Sequence, residues 1–151
     1  MKKTIQIGIA FMITFLVISG CKKDSATTET STQKLTGKNW RMVSITASPG
    51  FSNGAGGFIT DLFAFQDACS KDDFMLFSAN GTYVSDEGAV KCDPTSPQTT
   101  PGTWAFANNE TQLVIDGDVS DIMNLDKTNL RIKTVGEIDS TMQTIIVTFN
   151  H

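Results

Sequence analysis

The chain has 151 residues, with 12 basic and 16 acidic side chains and a formal charge of −4. An acidic surface repels phosphate backbones, so nucleic-acid binding is not expected. The one histidine is His151 at the end of the chain, which removes His-based nucleophile dyads and most general-base schemes, so an enzyme is not expected either.

The N-terminus carries Lys2 and Lys3, then an apolar stretch from Ile5 to Ile18. A stable membrane span needs about 20 apolar residues, and a short run behind a positive start has the plan of a secretory signal. The tetrad Ile18-Ser19-Gly20-Cys21 resembles the lipobox of bacterial lipoproteins. That resemblance implies cleavage after residue 20 and lipidation of Cys21; the alternative is a signal anchor with a buried Cys21. Without Lys2 and Lys3 the charge moves from −4 to −6. Residues 22–34 contain no large apolar side chain and cannot repay the entropy of ordering, so 21–34 reads as a lipidated flexible tether. Lys22 after the cysteine is compatible with sorting to an outer membrane, by resemblance to known sorting rules. Residues 35–151 suit one domain with one core.

Within that domain the turn and alternation signals predict eight short strands: Lys38–Ala47, Asp73–Ser78, Thr82–Glu87, Gly102–Ala107, Thr111–Asp116, Val119–Leu125, Asn129–Val135 and Met142–Asn150. Polar turn residues separate the later ones, at 108–110, 116–118 and 126–128. An antiparallel meander of this length hides its edges by closing, which predicts an all-β, eight-stranded up-and-down barrel. Two connections break the rhythm. Residues 48–72 begin glycine-rich and continue ITDLFAFQDA, whose apolar spacing predicts a short helix, as a lid or as a plug in one barrel end. Residues 88–101 hold three prolines, which no central strand tolerates.

Asn80-Gly81 is the strongest hairpin signal in the chain. A two-residue turn there sets Ala79 opposite Thr82 and, extended outward, Cys69 opposite Cys92; a three-residue turn bulged at Gly81 moves the register by one. The two cysteines therefore read as a disulfide at the open end of the hairpin, persistent in an oxidising compartment. A metal pair is the alternative, and it lacks nitrogen ligands because His151 is the only histidine.

The segments "LTGKNWRMVSI" (35–45) and "DACSKDDFMLFSANGTYVSDEGAVKCDPTSPQTTPGTWAF" (67–106) resemble the lipocalin-like domain lipoproteins of bacterial outer membranes. Lipocalins proper carry Gly-x-Trp at the first strand; Gly37-Lys38-Asn39-Trp40 is one residue longer, and Trp40 then reads as a plug at one barrel end. The resemblance implies a lipid-anchored barrel of the cell envelope that holds a small apolar or amphipathic molecule, with no cofactor and with the membrane as its partner through the anchor. The inward candidates are Phe74, Leu76, Tyr83, Trp104, Phe106, Leu113, Ile115, Ile132 and Phe149. The same residues would equally fill an eight-stranded core, leaving an interaction protein whose loops 48–72 and 88–101 meet a partner. Asp116 and Asp118 flank a glycine turn, where a solvated turn and a calcium site are the competing readings.

Overall fold

The computed structural model describes residues 28–138 and 140–151. The signal segment 1–20, Cys21 and the tether up to residue 27 lie outside the described residues. The chain enters through a single helical turn, α1 (Ser31–Leu35), whose residues 31–34 belong to the segment that the sequence reading assigns to the tether. Two features order it. Thr30 and Gln33 form a reciprocal capping box, the Thr30 N–H donating to Gln33 Oε1 at 2.9 Å and the Gln33 N–H to Thr30 Oγ1 at 3.2 Å. Leu35, fully buried, then docks the turn on the barrel core.

Nine strands follow: β1 (Asn39–Ser52), β2 (Phe58–Asp61), β3 (Phe74–Phe77), β4 (Thr82–Asp86), β5 (Thr99–Ala107), β6 (Gln112–Ile115), β7 (Asp118–Leu125), β8 (Asn129–Ile138) and β9 (Thr141–Asn150). All the pairings are antiparallel, neighbours pair in sequence from β3 to β9, and β1 pairs with both β3 and β9. The result is the expected closed eight-stranded up-and-down barrel, with β2 added as a short ninth strand.

Three departures from the sequence reading have physical causes. First, β1 does not stop at Ala47 but continues to Ser52 and folds back as β2, pairing Phe51 with Ile59 and Ser52 with Phe58. The glycine-rich stretch is the turn of this hairpin, held by Asn53, whose side-chain oxygen accepts from the Ala55 and Gly57 N–H groups. Second, the expected helix appears only as two 3-10 turns, Phe63–Phe65 and Ala68–Lys71, because Phe58–Asp61 is drawn into the sheet. Third, Pro101 lies within β5, opposite Val84. β6 pairs with β5 only from Trp104 onward, so Pro101 sits where the second edge of the strand has no ladder to break.

The hairpin at Asn80 takes the three-residue form. Phe77 pairs with Tyr83, the Ser78 N–H donates to the Thr82 carbonyl at 2.8 Å, and Gly81 has φ 85°. Beyond the ladder, Cys69 and Cys92 form the disulfide, with Cα atoms 5.2 Å apart.

The core occupies the end of the barrel where β1 begins. Leu35, Trp40, Phe77, Trp104, Leu113, Leu130, Ile132 and Phe149 pack together there. Trp40 is fully buried and its indole N–H donates to the Leu35 carbonyl at 2.7 Å, which makes it the plug anticipated from the sequence. Trp104 is fixed likewise, donating to the Ser78 carbonyl at 2.9 Å.

Candidate functional site

β1 holds β3 only across Asn39, Trp40 and Arg41; from Thr46 to Ser52 that same edge of β1 carries β2 instead. The wall between β1 and β3 is therefore short, and the 3-10 turns of residues 63–71 lie beside it. This segment is hung at two points. The Leu62 N–H donates to the Ile45 carbonyl at 2.9 Å on one side, and the disulfide ties Cys69 to Cys92 on the other.

Beneath it is a cavity of about 290 Å³ lined by Trp40, Met42, Gln66, Ser70, Asp73, Phe74, Met75, Ser85 and Phe149. The registers Trp40 with Met75, Met75 with Ser85 and Met42 with Phe149 set these side chains on the inner face of the barrel. Trp40, Met42, Met75 and Phe149 supply an apolar surface; Gln66, Ser70 and Asp73 supply polar groups at the roof. Apolar lining with a few placed polar groups is the usual make-up of a small-molecule site, and this volume falls just under the usual range of about 300–1,000 Å³.

The Asp73 carboxyl is held above the ordinary carboxylate range, first by burial and then by the negative charges of Glu87, Asp72 and Asp86. Its Oδ1 is buried and has no hydrogen-bond partner among the described residues. Asp72 beside it is engaged on its other oxygen, Oδ2 accepting from the Ala89 N–H at 2.6 Å and the Val90 N–H at 3.1 Å.

Of the nine inward candidates named from the sequence, Phe74 and Phe149 line the cavity. Trp104, Leu113 and Ile132 belong to the buried core, with Tyr83, Phe106 and Ile115 packed against it. Phe74 and Leu76 pair with Arg41 and Asn39, so the pleat turns them to the outer face; Phe74 borders the cavity from there, and the Arg41 guanidinium lies 5.8 Å from its ring centre. The inner positions of that strand are Met75 and Phe77. Trp40, Met42, Gln66, Ser70, Asp73, Met75 and Ser85 were not among the candidates. Asp116, read from the sequence as a turn residue or a calcium ligand, accepts the Tyr83 hydroxyl at 2.5 Å and the Thr103 N–H at 2.8 Å.

A closed eight-stranded antiparallel barrel with a small inner cavity under a tethered cover fits the plan of a lipocalin-like barrel. Residues 19–147 match the family described as Domain of unknown function (DUF5004), and the chain belongs to that family. No curated protein matches it.

Proposed function

We propose that the protein is a lipid-anchored binding module of the cell envelope, which holds a small amphipathic molecule inside the barrel rather than acting as an enzyme. The observation that carries this reading is the cavity of about 290 Å³, walled by Trp40, Met42, Met75 and Phe149 and covered by a segment tied down by the disulfide. The anchor rests on the lipobox-like tetrad ending at Cys21, and the family match begins at Ser19, so Cys21 falls within the stretch shared by the family. The α1 turn enters at the plugged end of the barrel, where Lys127 pairs with Glu29 at 3.0 Å. A tether attached there leaves the covered end, at the far side of Trp40, free to exchange its contents.

Native mass spectrometry of the Cys21→Ser chain, exported on a cleavable signal, tests the binding reading. A bound small molecule that leaves on denaturation is the expected result, and a bare mass from gently purified protein is the contrary one. Incorporation of labelled palmitate into the natural chain, and its loss in Cys21→Ser, tests the anchor.

One observation favours a second reading, a protein-interaction role for loop 48–72. Phe58, which opens β2, and Phe65, the last residue of the first 3-10 turn, are 71% and 69% exposed and close in sequence. Phe58→Ser/Phe65→Ser should then abolish co-purification of a protein partner and leave the bound small molecule in place.

A further inference from the structure

The cavity has a charge preference built into its wall. Asp73 precedes β3 on the same face as Met75 and Phe77, and Glu87, just past β4, is the next position outward on the facing strand. Asp73 lines the cavity, its Oδ1 is buried without a partner, and Glu87, Asp72 and Asp86 all add negative potential to it. The basic side chains nearby are engaged elsewhere. Arg41 stacks on Phe74 at 5.8 Å on the outer face and Lys71 on Phe63 at 5.4 Å. Lys91 donates to the carbonyls of Pro94 and Ser96. The ion pairs among the described residues, Lys127 with Glu29 and Lys133 with Asp121, involve none of these four acids.

A desolvated carboxylate surrounded by like charge is unfavourable until a proton or a counter-charge neutralises it. Among the described residues no group of three or more His, Cys, Asp or Glu side chains could hold a metal ion. The apolar surface of the cavity, two thioethers, an indole and two phenyl rings, suits an alkyl or aryl body, and methionine adapts to its shape.

We propose that the cavity selects a small amphipathic amine, whose protonated nitrogen donates to Asp73 while its apolar part lies against Met42, Met75 and Phe149. This rests on the binding reading above and names the chemistry of its ligand. The ligand needs both a donor and a positive charge, because the unpartnered group is a charged acceptor; a quaternary ammonium supplies the charge without the bond, and an alcohol the bond without the charge.

The test uses the anchor-free mature chain and isothermal titration with hexylamine, hexanol, hexanoate and hexyltrimethylammonium at neutral pH. Hexylamine should bind at least about tenfold more tightly than the other three, the scale of one charge-assisted hydrogen bond. Asp73→Asn should erase that preference while hexanol affinity stays within about twofold. Equal affinity for hexylamine and hexanol would overturn the amine assignment and leave the cavity reading standing. A preference for hexylamine that survives in Asp73→Asn would overturn the role of Asp73. Absence of binding by all four probes to the natural sequence would overturn the amine proposal together with the cavity reading. The probe comparison on the unmutated protein does not depend on any variant folding.

Discussion

The hydroxyl of Tyr83 donates to Asp116 at 2.5 Å, joining β4 to the β6–β7 turn across the intervening β5. The ring passes directly over Gly102, where an added Cβ would lie 2.4 Å from a ring carbon, so this crossing needs a glycine beneath it. Burial, the hydrogen bond to Asp116 and its negative charge push the phenol up to about 12. The chain has a single tyrosine, so an ultraviolet titration reads this residue alone. We expect a midpoint near 12 in place of 10, and a fall in Asp116→Asn that stops above the free value because burial remains. Since the folded value is the higher one, the stabilisation is complete below pH 10 and is lost as the pH rises from 10 towards 12. Tyr83→Phe should cost about 1 kcal/mol at neutral pH by denaturant unfolding.

Trp40 closes the end of the barrel where β1 begins by a different set of contacts. Its indole fills the base of the core and its N–H satisfies the carbonyl that ends α1, so one side chain couples the helical turn to the barrel. Trp40→Ala should destabilise by about 3–5 kcal/mol, the range for removing a large buried aromatic. Trp40→Phe keeps much of the packing but leaves the Leu35 carbonyl without its donor, and should cost about 1–3 kcal/mol. Urea unfolding curves of the three proteins, compared at their midpoints, decide this.

The barrel was legible in the sequence where turn chemistry and alternation agree. Asn80-Gly81 announced its hairpin, and Ile132 and Phe149 lie on the inner face expected of them, with Leu130 and Val147 beside them. Phe74-Met75-Leu76-Phe77 had no alternation to read, because four consecutive apolar residues fit either face; only the register with β1 sets Met75 and Phe77 inward. The cavity was less legible still. Its roof residues Gln66 and Ser70 lie in irregular chain; the disulfide beside Ser70 is legible from the hairpin spacing, but the hydrogen bond from Leu62 to Ile45 that holds the other side has no local signature. Asp73 has no local signature beyond its neighbour Asp72, and adjacent strand residues point to opposite faces. It is the charge of Glu87 on the facing strand, together with Asp72 and Asp86, that joins them into one field.

The disulfide does more than close a hairpin, since the segment it holds is the cover of the cavity. Replacing Cys69 and Cys92 together with serine should cost about 3 kcal/mol in the chain-entropy view of a loop of this length. The structural effect should be local: hydrogen exchange should accelerate across residues 63–73 and 88–98 while β7, β8 and β9 keep their protection. Uniform loss of protection throughout the barrel would contradict the assignment of residues 63–71 as a separately tethered cover. Reduction of the unmutated protein should reproduce the same pattern.

Asp73 gives the sharpest contrast between stability and function. A folded-state carboxyl held above its ordinary value favours the protonated form, so its contribution to stability is complete below the ordinary carboxylate range and disappears as pH rises through the folded value. At neutral pH the ionised group is therefore a net liability to the fold, retained next to three other acids. Asp73→Asn removes the charge at constant shape, and we expect its melting temperature at pH 7 to exceed that of the natural protein. The difference should shrink towards pH 4, where the natural carboxyl takes up its proton. Asp116→Asn provides the control of opposite sign: the Tyr83 and Thr103 hydrogen bonds hold that carboxyl below its ordinary value, so its stabilising effect is present at neutral pH and lost on acidification. Melting curves of both variants from pH 4 to pH 8 should therefore diverge in opposite directions from the natural protein as pH rises. If Asp73→Asn were instead less stable at pH 7, the carboxylate would have a partner within the fold, and it could not be the group held open for a ligand.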